Sequence, residues 1–259
     1  MRVISVPFVL HLLIRASALP SVNRALIDVD ISGQESDRID VLPSEEVPEG
    51  IVYSVRPGSK HSHIIGKVTD AGELIIDGSK GYMTRFVQVV PREDGVKYVK
   101  VLTRYRDGTK YSNCISEFLK RPGELKYNEI RRRTTDLDVM LQKGTDTINA
   151  ELVLPSEVAN GEIEQVLENL DLWPIRFTIK ENMQDELVIG KVSYGSQLLE
   201  SGLQGLIYRQ VTWEGGLNSP LITIESRYED GTLVERRYIL ERESLALWNT
   251  RKDVVNTLR

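Results

Sequence analysis

The sequence has few of the residues that cross-link secreted domains. Its 259 residues include one cysteine, Cys114, and three histidines. One cysteine cannot form an intramolecular disulfide, so the disulfide framework of many small secreted domains is excluded. No Asn-x-Ser/Thr glycosylation sequon occurs either. A chain without these extracellular features suits a destination inside another compartment or another cell, and it would also suit a bacterial periplasm.

Sequence motifs of common enzyme classes are also missing. The chain contains no G-x-S-x-G, no G-x-G-x-x-G and no G-x-x-x-x-G-K-[ST], which removes the usual signals for hydrolases, dinucleotide-binding proteins and P-loop proteins. The net charge is −5, whereas nucleic-acid phosphates require a basic protein face. The composition therefore predicts a soluble globular protein that binds no nucleic acid, and the missing motifs provide no signal for a nucleotide cofactor.

The first residues have the features of a leader. A basic start, Met1-Arg2, precedes an apolar run over residues 3–14, and Ala16-Ser17-Ala18 supplies the small residues that signal peptidase needs. This pattern predicts a secretory signal peptide cleaved after Ala18. An N-terminal anchor or a buried strand is the alternative, but the run is too short to span a bilayer. No later segment is apolar enough to cross a membrane.

Two halves of the remaining chain resemble each other. Ile65-Gly66-Lys67-Val68 recurs 124 positions later as Ile189-Gly190-Lys191-Val192, and RYRDGT at 104–109 recurs 123 positions later as RYEDGT. Upstream, Asp28-Val29-Asp30 resembles a motif 108 positions later, and LPSE at 42–45 recurs 112 positions later. Matches that keep their order at similar offsets predict two tandem copies of one module. The second copy carries an insertion, placed most simply within 158–173.

These matches divide the chain into a signal peptide (1–18), a first module (19–119), a charged linker (120–134), a second module (135–243) and a C-terminal tail (244–259). Alternation of apolar and polar residues, clearest over 98–106, is typical of half-buried strands. Asp107-Gly108 and Asp230-Gly231 then predict type I′ hairpin turns. Six or seven short strands per copy predict a mainly β chain of two small antiparallel sandwich-like or barrel-like modules.

Helices are expected to be few. Residues 161–170 of the second copy have apolar side chains at helical spacing, and 244–258 reads as a C-terminal helix. The three tryptophans all lie in the second half, where they indicate either core packing or a specialised apolar surface. Trp213 aligns with Val89 of the first copy, and core packing is the default for tryptophan.

His61 and His63 are the only histidine pair after the leader. Two imidazoles two positions apart on a strand can share a face and hold a metal, and either could serve a serine or Cys114 nucleophile. The second copy has Asp185 and Leu187 at these positions. A solvated loop is therefore the favoured interpretation, and no metal or catalytic residue is assigned.

The remaining charged motifs are less specific. Arg131-Arg132-Arg133 fits a protease site, an anionic-lipid contact or exposed linker charge, of which the last is favoured. Paired carboxylates such as Asp28 and Asp30 are interpreted as solvated charge, because acid–base catalysis needs a cleft that raises the pKa of one member. Alignment places Arg237 opposite Cys114, so the module does not depend on a thiol there.

Both copies approximate one order of motifs: a leading L/I-D-L/V-D element, an I-x-F/Y-T/S-V/I-K/R strand, a V-x-x-G-x-x-L/I segment and a last hairpin with a Gly turn. These segments are 27–31, 51–56, 64–77 and 99–112 in the first copy, and 136–140, 175–180, 188–200 and 222–238 in the second. The pattern resembles the FAINT repeat of the piroplasm parasites Babesia and Theileria. The resembling segments cover most of the chain after the leader, with the better fit in the second copy. The balanced composition and few asparagines are closer to the spherical body proteins of Babesia.

The resemblance implies a secreted, non-enzymatic parasite protein, stored in a secretory organelle and then exported to the host cell. Such a protein would bind a host or parasite partner, for example at the erythrocyte membrane or its skeleton. The resemblance carries over no catalytic, metal or cofactor residue. Two alternatives are a structural component of the organelle or of a surface coat, and a secreted hydrolase that uses the His61/His63 loop.

Overall fold

A computed structural model describes residues 24–33, 36–45, 47–78, 81–92, 94–153, 173–255 and 258. The predicted cleavage after Ala18 and the predicted helix at 161–170 lie outside the described residues.

Strands dominate the described residues. In the first copy they are β1 (Ala25–Asp30), β2 (Ile39–Pro43), β3 (Ile51–Val55), β4 (His63–Asp70), β5 (Glu73–Ile76), β6 (Tyr82–Pro91), β7 (Lys97–Asp107), β8 (Lys110–Lys120) and β9 (Asn128–Glu129). In the second copy they are β10 (Arg133–Asp138), β11 (Ile148–Leu152), β12 (Ile175–Ile179), β13 (Leu187–Tyr194), β14 (Gln197–Glu200), β15 (Leu206–Glu214), β16 (Leu221–Tyr228), β17 (Thr232–Glu241) and β18 (Ser244–Val254).

Each copy has two sheets with the same topology. The first copy has a three-stranded sheet, β1-β4-β5, and a six-stranded sheet, β2-β3-β6-β7-β8-β9; the second copy has β10-β13-β14 and β11-β12-β15-β16-β17-β18. The pairings are antiparallel except for β1 with β4 and β10 with β13. The mainly β fold and the two tandem sandwich-like copies are thus confirmed.

The core of each copy lies between its two sheets. In the first copy Ile65 and Val68 of β4 pack against Val99 and Val101 of β7. In the second copy Ile189 and its neighbours pack in the same way against β16, and Trp213 is buried among them. Val99, Val101 and Thr103 of β7 face inward as predicted, as do Ile222, Ile224 and Ser226 of β16. Tyr105, which alternation places on the same face of β7, is 36% exposed. Period-two patterning thus sets the orientation of these strands except at the end of β7.

An arginine crosses the core of each copy. Arg85 on β6 and Arg209 on β15 are 2% and 1% exposed. Arg209 donates to the carbonyl of Gly190 on β13, to the Gly202 carbonyl at 2.8 Å and to Ser226 Oγ at 2.9 Å. Arg85 donates equivalently to the carbonyls of Gly66 and Asp77 and to Thr103 Oγ1. Burial lowers the pKa of both arginines.

The repeated IGKV motif belongs to a bulge in the parallel pairing. The register shifts between Ile27 and Val29, and Asp28 Oδ1 accepts the backbone N–H of Lys67 at 2.9 Å. A Cβ on Gly66 would lie 2.8 Å from that same oxygen, so glycine is needed there. Asp136 and Gly190 repeat the arrangement in the second copy.

Asp30 fastens the turn between β4 and β5. Its carboxylate accepts from Ser32, from Thr69 and from the backbone N–H groups of Ala71 and Gly72, both at 2.9 Å. The bond from the Ser32 hydroxyl, followed by those from backbone N–H groups, holds the pKa of Asp30 well below its ordinary value. The repeated acidic pairs are therefore structural acceptors of backbone N–H groups, and the Asp28 side chain is in addition 60% exposed.

The two copies of RYxDGT make different turns, and neither matches the predicted type I′ geometry. In the first copy Asp107 pairs with Lys110 around a two-residue loop, and Gly108 has φ of 58°. In the second the loop is 229–231, and Gly231 alone of these described residues has positive φ, as in a three-residue loop. The turn of the second copy begins earlier in the repeat, so its return strand β17 is shifted relative to β8. Thr103 pairs with Cys114 in the first copy, and its counterpart Ser226 pairs with Val234 in the second. Val234 rather than Arg237 is therefore the structural counterpart of Cys114.

The insertion in the second copy lies between β11 and β12. Seven residues (44–50) connect β2 to β3, whereas 153–174 connect β11 to β12. The connection 153–174 contains the range in which the insertion was predicted.

The LPSE match is out of register by three positions. Leu42 pairs with Val52, and Glu151 pairs with Arg176, which is the counterpart of Val52. Glu151 is therefore the structural counterpart of Leu42, whereas the sequence match aligned Leu42 with position 154.

The predicted C-terminal helix is wrong. Residues 244–254 form β18, which pairs along the full length of β17. A tight turn in which Arg242 has φ of 60° places β18 directly beside β17 in the sequence. The hydrogen bonds between these two strands outweigh the weak helical spacing of apolar residues in 244–258. The predicted linker also contributes to both copies: Lys120 ends β8, β9 lies beside β8, and Arg133 begins β10.

We predict that Arg209→Met destabilises the protein strongly. The substitution leaves the Gly190 and Gly202 carbonyls without their donors in the core, at a cost of about 2–5 kcal/mol in the free energy of unfolding. Urea denaturation measures this loss. Arg56→Met is the control, because Arg56 is an exposed arginine on the first copy. Equal small losses in the two variants would contradict a bridging role for Arg209.

We also predict that Asp30→Ala lowers the free energy of unfolding by about 1–3 kcal/mol at pH 7. A depressed pKa stabilises the fold above the unfolded value near 4, and this contribution is lost as the pH falls below it. The gap between wild type and variant should therefore narrow in urea melts from pH 5 to pH 2. Asp37→Ala, at an exposed site, should show neither effect. A gap that stayed constant with pH would contradict the role of the Asp30 charge.

Candidate functional site: the cleft between the copies

The predicted histidine loop is an exposed turn that leads into β4. His63 Nε2 lies 2.7 Å from Arg38 Nη1, and His63 Nδ1 lies 2.7 Å from Ser62 Oγ. Arginine only donates hydrogen bonds, so Nε2 accepts and the Nδ1 proton of a neutral ring points at Ser62. In this arrangement the ring offers no basic nitrogen to the serine. Within the described ranges, no three His, Cys, Asp or Glu side chains are grouped as metal ligands.

Arg131, Arg132 and Arg133 have three different environments. Arg131 is exposed and pairs with Glu129, and Arg133 starts β10. The Arg132 side chain is only 11% exposed; it donates to Glu117 and, at 2.6 Å, to the carbonyl of Gln184. The interpretation as exposed linker charge is therefore wrong for Arg132, which lies at the contact between the two copies. Cys114 is half-buried on β8 as a free thiol.

An apolar cluster joins the copies. Val52, Leu102 and Ile115 lie on the outer face of the first copy's six-stranded sheet. Their cluster is completed by residues of the second half: Leu258, Ile207 and Val255. Two hydrogen bonds border it, from Ile115 N to Glu229 O at 2.6 Å and from Asn113 Nδ2 to Val255 O at 2.8 Å. This sheet face, which faces solvent in an isolated sandwich, is covered here.

The second copy lacks this apolar face. By strand register the counterparts of Val52, Phe86, Leu102 and Ile115 are Arg176, Gln210, Glu225 and Glu235. The two copies therefore present unlike outer faces, and the first alone has the side chains for this contact. The sequence contained the signal: Leu102 and Ile115 are large apolar residues on the face that alternation assigns to solvent.

Ion pairs with one short acidic turn surround the contact. Arg92 donates both terminal nitrogens to Asp185, at 2.7 and 3.0 Å. Arg121 lies 3.6 Å from Glu186 in the same turn. In the first copy His61 and Ser62 occupy the equivalent positions, so the acidic turn belongs to the second copy. The two copies differ at this turn because Asp185 and Glu186 of the second copy form ion pairs with the first copy.

Tyr98 and Glu117 line the space beside these ion pairs. The Tyr98 hydroxyl donates to Glu117, which also accepts from Arg132. Burial, then the charge of Glu117, raises the pKa of Tyr98 well above its ordinary value. The tyrosine therefore stays a neutral donor at physiological pH.

An open cleft of about 660 Å³ separates the copies at this place, within the range of small-molecule sites. Both copies supply its walls: Gln88, Val90, Arg92, Tyr98, Lys100 and Glu117 from the first, and Thr178, Gln184, Asp185, Ile207, Tyr208, Arg209 and Arg227 from the second, with Arg132 between them. Arg227, the first residue of RYEDGT, lies over the Tyr208 ring at 5.2 Å. Its sequence counterpart Arg104 instead bonds Asn113 at 3.1 Å.

A second exposed feature is the edge strand β18. It runs for eleven residues at the end of its sheet, whereas its counterpart β9 has two. Leu247 and Trp248 are 53% and 58% exposed on it. The default expectation of core packing is confirmed for Trp213 and wrong for Trp248.

Comparisons with family models, with curated proteins and with solved structures found no match to this chain. In the part of the chain that the structure describes, no helix has the length and apolar character to span a membrane.

We predict that the Arg92–Asp185 pair stabilises the contact between the copies. A double-mutant cycle with Arg92→Gln and Asp185→Asn should give a coupling free energy of about 1–2 kcal/mol, because the pair is two-pronged and partly desolvated. Urea denaturation of the four proteins measures it. The exposed Arg251–Asp253 pair is the control and should give below about 0.5 kcal/mol. Equal coupling in the two cycles would contradict a specific role for Arg92.

Proposed function

We propose that the protein is a secreted, non-enzymatic interaction protein, exported from a piroplasm parasite to its host cell. The leader sequence and the resemblance to FAINT repeats support secretion and export. The observation that carries a binding role is the exposed strand β18 of the second copy, with Leu247 and Trp248 on its surface. Exposed tryptophan is enriched where protein surfaces meet a partner.

Strand β18 suits recognition of an extended segment from a partner protein. It is the last strand of a six-stranded sheet, so one row of its backbone groups faces away from that sheet. The Gln197 side chain bonds the backbone N–H and carbonyl of Leu245 at the start of the strand, so a partner strand would add beyond that residue. A partner strand can add to such an edge through main-chain hydrogen bonds, with side-chain contacts providing specificity. A register shift beside Trp248 and the charges of Arg251 and Lys252 are features that limit indiscriminate edge-to-edge pairing.

The second candidate, a structural component of a secretory organelle or surface coat, rests on the same edge, which could pair with another copy of the chain. The third candidate is a hydrolase at the His61/His63 loop. The orientation of His63 disfavours it, because the ring offers no basic nitrogen to Ser62. The first two differ in the partner: a coat component should associate with itself in solution, whereas an interaction protein needs a host component.

Localisation in infected erythrocytes tests the proposal. Epitope-tagged wild type should appear in parasite secretory organelles before invasion and at the host-cell membrane or skeleton afterwards. Trp248→Ser should be exported but retained at the membrane several-fold less, because the apolar anchor is lost. Leu217→Ser, at another exposed leucine, should behave as wild type. Signal confined to the parasite, or self-association of the purified chain without a host component, would favour the structural role.

A further inference from the structure

The charge of the cleft between the copies is opposite to that of the chain. Basic residues outnumber acidic ones in its lining by five to two: Arg92, Lys100, Arg132, Arg209 and Arg227 against Glu117 and Asp185. The chain as a whole carries −5. Concave regions with low-dielectric walls concentrate the field of such an excess and attract ions of opposite sign.

The two carboxylates position arginines at this site. Asp185 binds both terminal nitrogens of Arg92, and Glu117 accepts from Arg132 and Tyr98. These contacts fix the guanidinium groups at the rim between the copies, so the cleft is preorganised before any ligand arrives.

Arg209 supplies one of these positive charges from behind the wall. It lines the cleft while 1% exposed, and its hydrogen bonds go to neutral groups: the Gly190 and Gly202 carbonyls and the hydroxyls of Ser226 and Tyr228. Carbonyls and hydroxyls satisfy its donors but do not cancel its charge. A buried charge without a carboxylate partner acts through a less screened medium than a surface charge, which raises the positive potential of the cleft.

Basic side chains lie on opposite walls of the cleft. The half-buried Lys100 lies on β7 of the first copy, and the exposed Arg227 lies near the end of β16 of the second. A ligand that touches both would bridge the two copies. Guanidinium groups match the oxygen geometry of carboxylate, phosphate and sulfate groups alike. A ligand with several phosphate or sulfate ester groups carries more negative charge than a simple carboxylate and therefore gains more from the positive potential of the cleft.

We infer that the cleft is a binding site for a small polyanion that carries phosphate or sulfate ester groups. The volume of about 660 Å³ accommodates a molecule of drug-like size and excludes a nucleic-acid duplex. Arg227 binds the anion directly, and Arg209 contributes its charge from behind the wall. This site is separate from strand β18 and goes beyond the interaction proposed for that strand.

Calorimetric titration of the full mature chain with two probes tests the inference. Inositol hexakisphosphate represents phosphate esters, and a fully sulfated heparin disaccharide represents sulfate esters. We expect at least one probe to bind with a dissociation constant that rises with salt concentration. Arg227→Gln should weaken that binding about tenfold, as expected for the loss of one charge-assisted hydrogen bond. The probe that binds identifies the ester group.

Arg56→Gln is the matched control. It removes the same charge from an exposed site on the first copy, outside the cleft lining, and should leave the dissociation constant within about twofold of wild type. The melting temperature of both variants should stay within about 2 °C of wild type, which separates loss of binding from loss of fold. Absence of binding by both probes, or equal weakening by the two substitutions, would overturn the inference.

Discussion

The buried arginine that joins the two sheets of each copy is the contact on which the rest of the fold depends. Arg85 and Arg209 extend from a long strand across the core and satisfy carbonyl groups at the Gly66 and Gly190 bulges. Those carbonyls are available because the Asp28 and Asp136 carboxylates replace part of the parallel ladder. The bulge, its glycine, its aspartate and the arginine therefore form one unit, which explains why IGKV and the upstream acidic motif recur together.

The two copies have similar cores but different residues on the outer faces of their six-stranded sheets. Contact between the copies buries Val52, Leu102 and Ile115 of the first, while the second has charged residues at those places. The acidic turn at Asp185 has no acidic counterpart in the first copy. Because the two sides of the contact differ, the chain forms a pair of unlike partners, and Leu247 and Trp248 stay exposed on the sheet edge of the second copy.

Local pattern predicted the interior of this protein well. Alternation within each strand identified the inward residues of β7 and β16 apart from Tyr105, which is exposed, and matching segments at similar offsets identified the two copies. The C-terminal strand could not be read this way, because β18 is fixed by its pairing with β17 rather than by its own spacing. The cleft escaped prediction for a related reason: Arg92, Glu117, Arg132 and Asp185 meet only after the copies dock, and no local pattern records that contact.

The different outer-face residues of the equivalent hairpins in the two copies affect how the chain can misfold. Adjacent modules of like sequence are prone to exchange equivalent strands while they fold. If the β16–β17 hairpin took the place of β7–β8, Glu225 and Glu235 would occupy the positions of Leu102 and Ile115. Two carboxylates would then be desolvated in an apolar cluster, at a cost of several kcal/mol each. The outer-face divergence thus penalises the exchanged topology and favours correct pairing of each copy with its own strands.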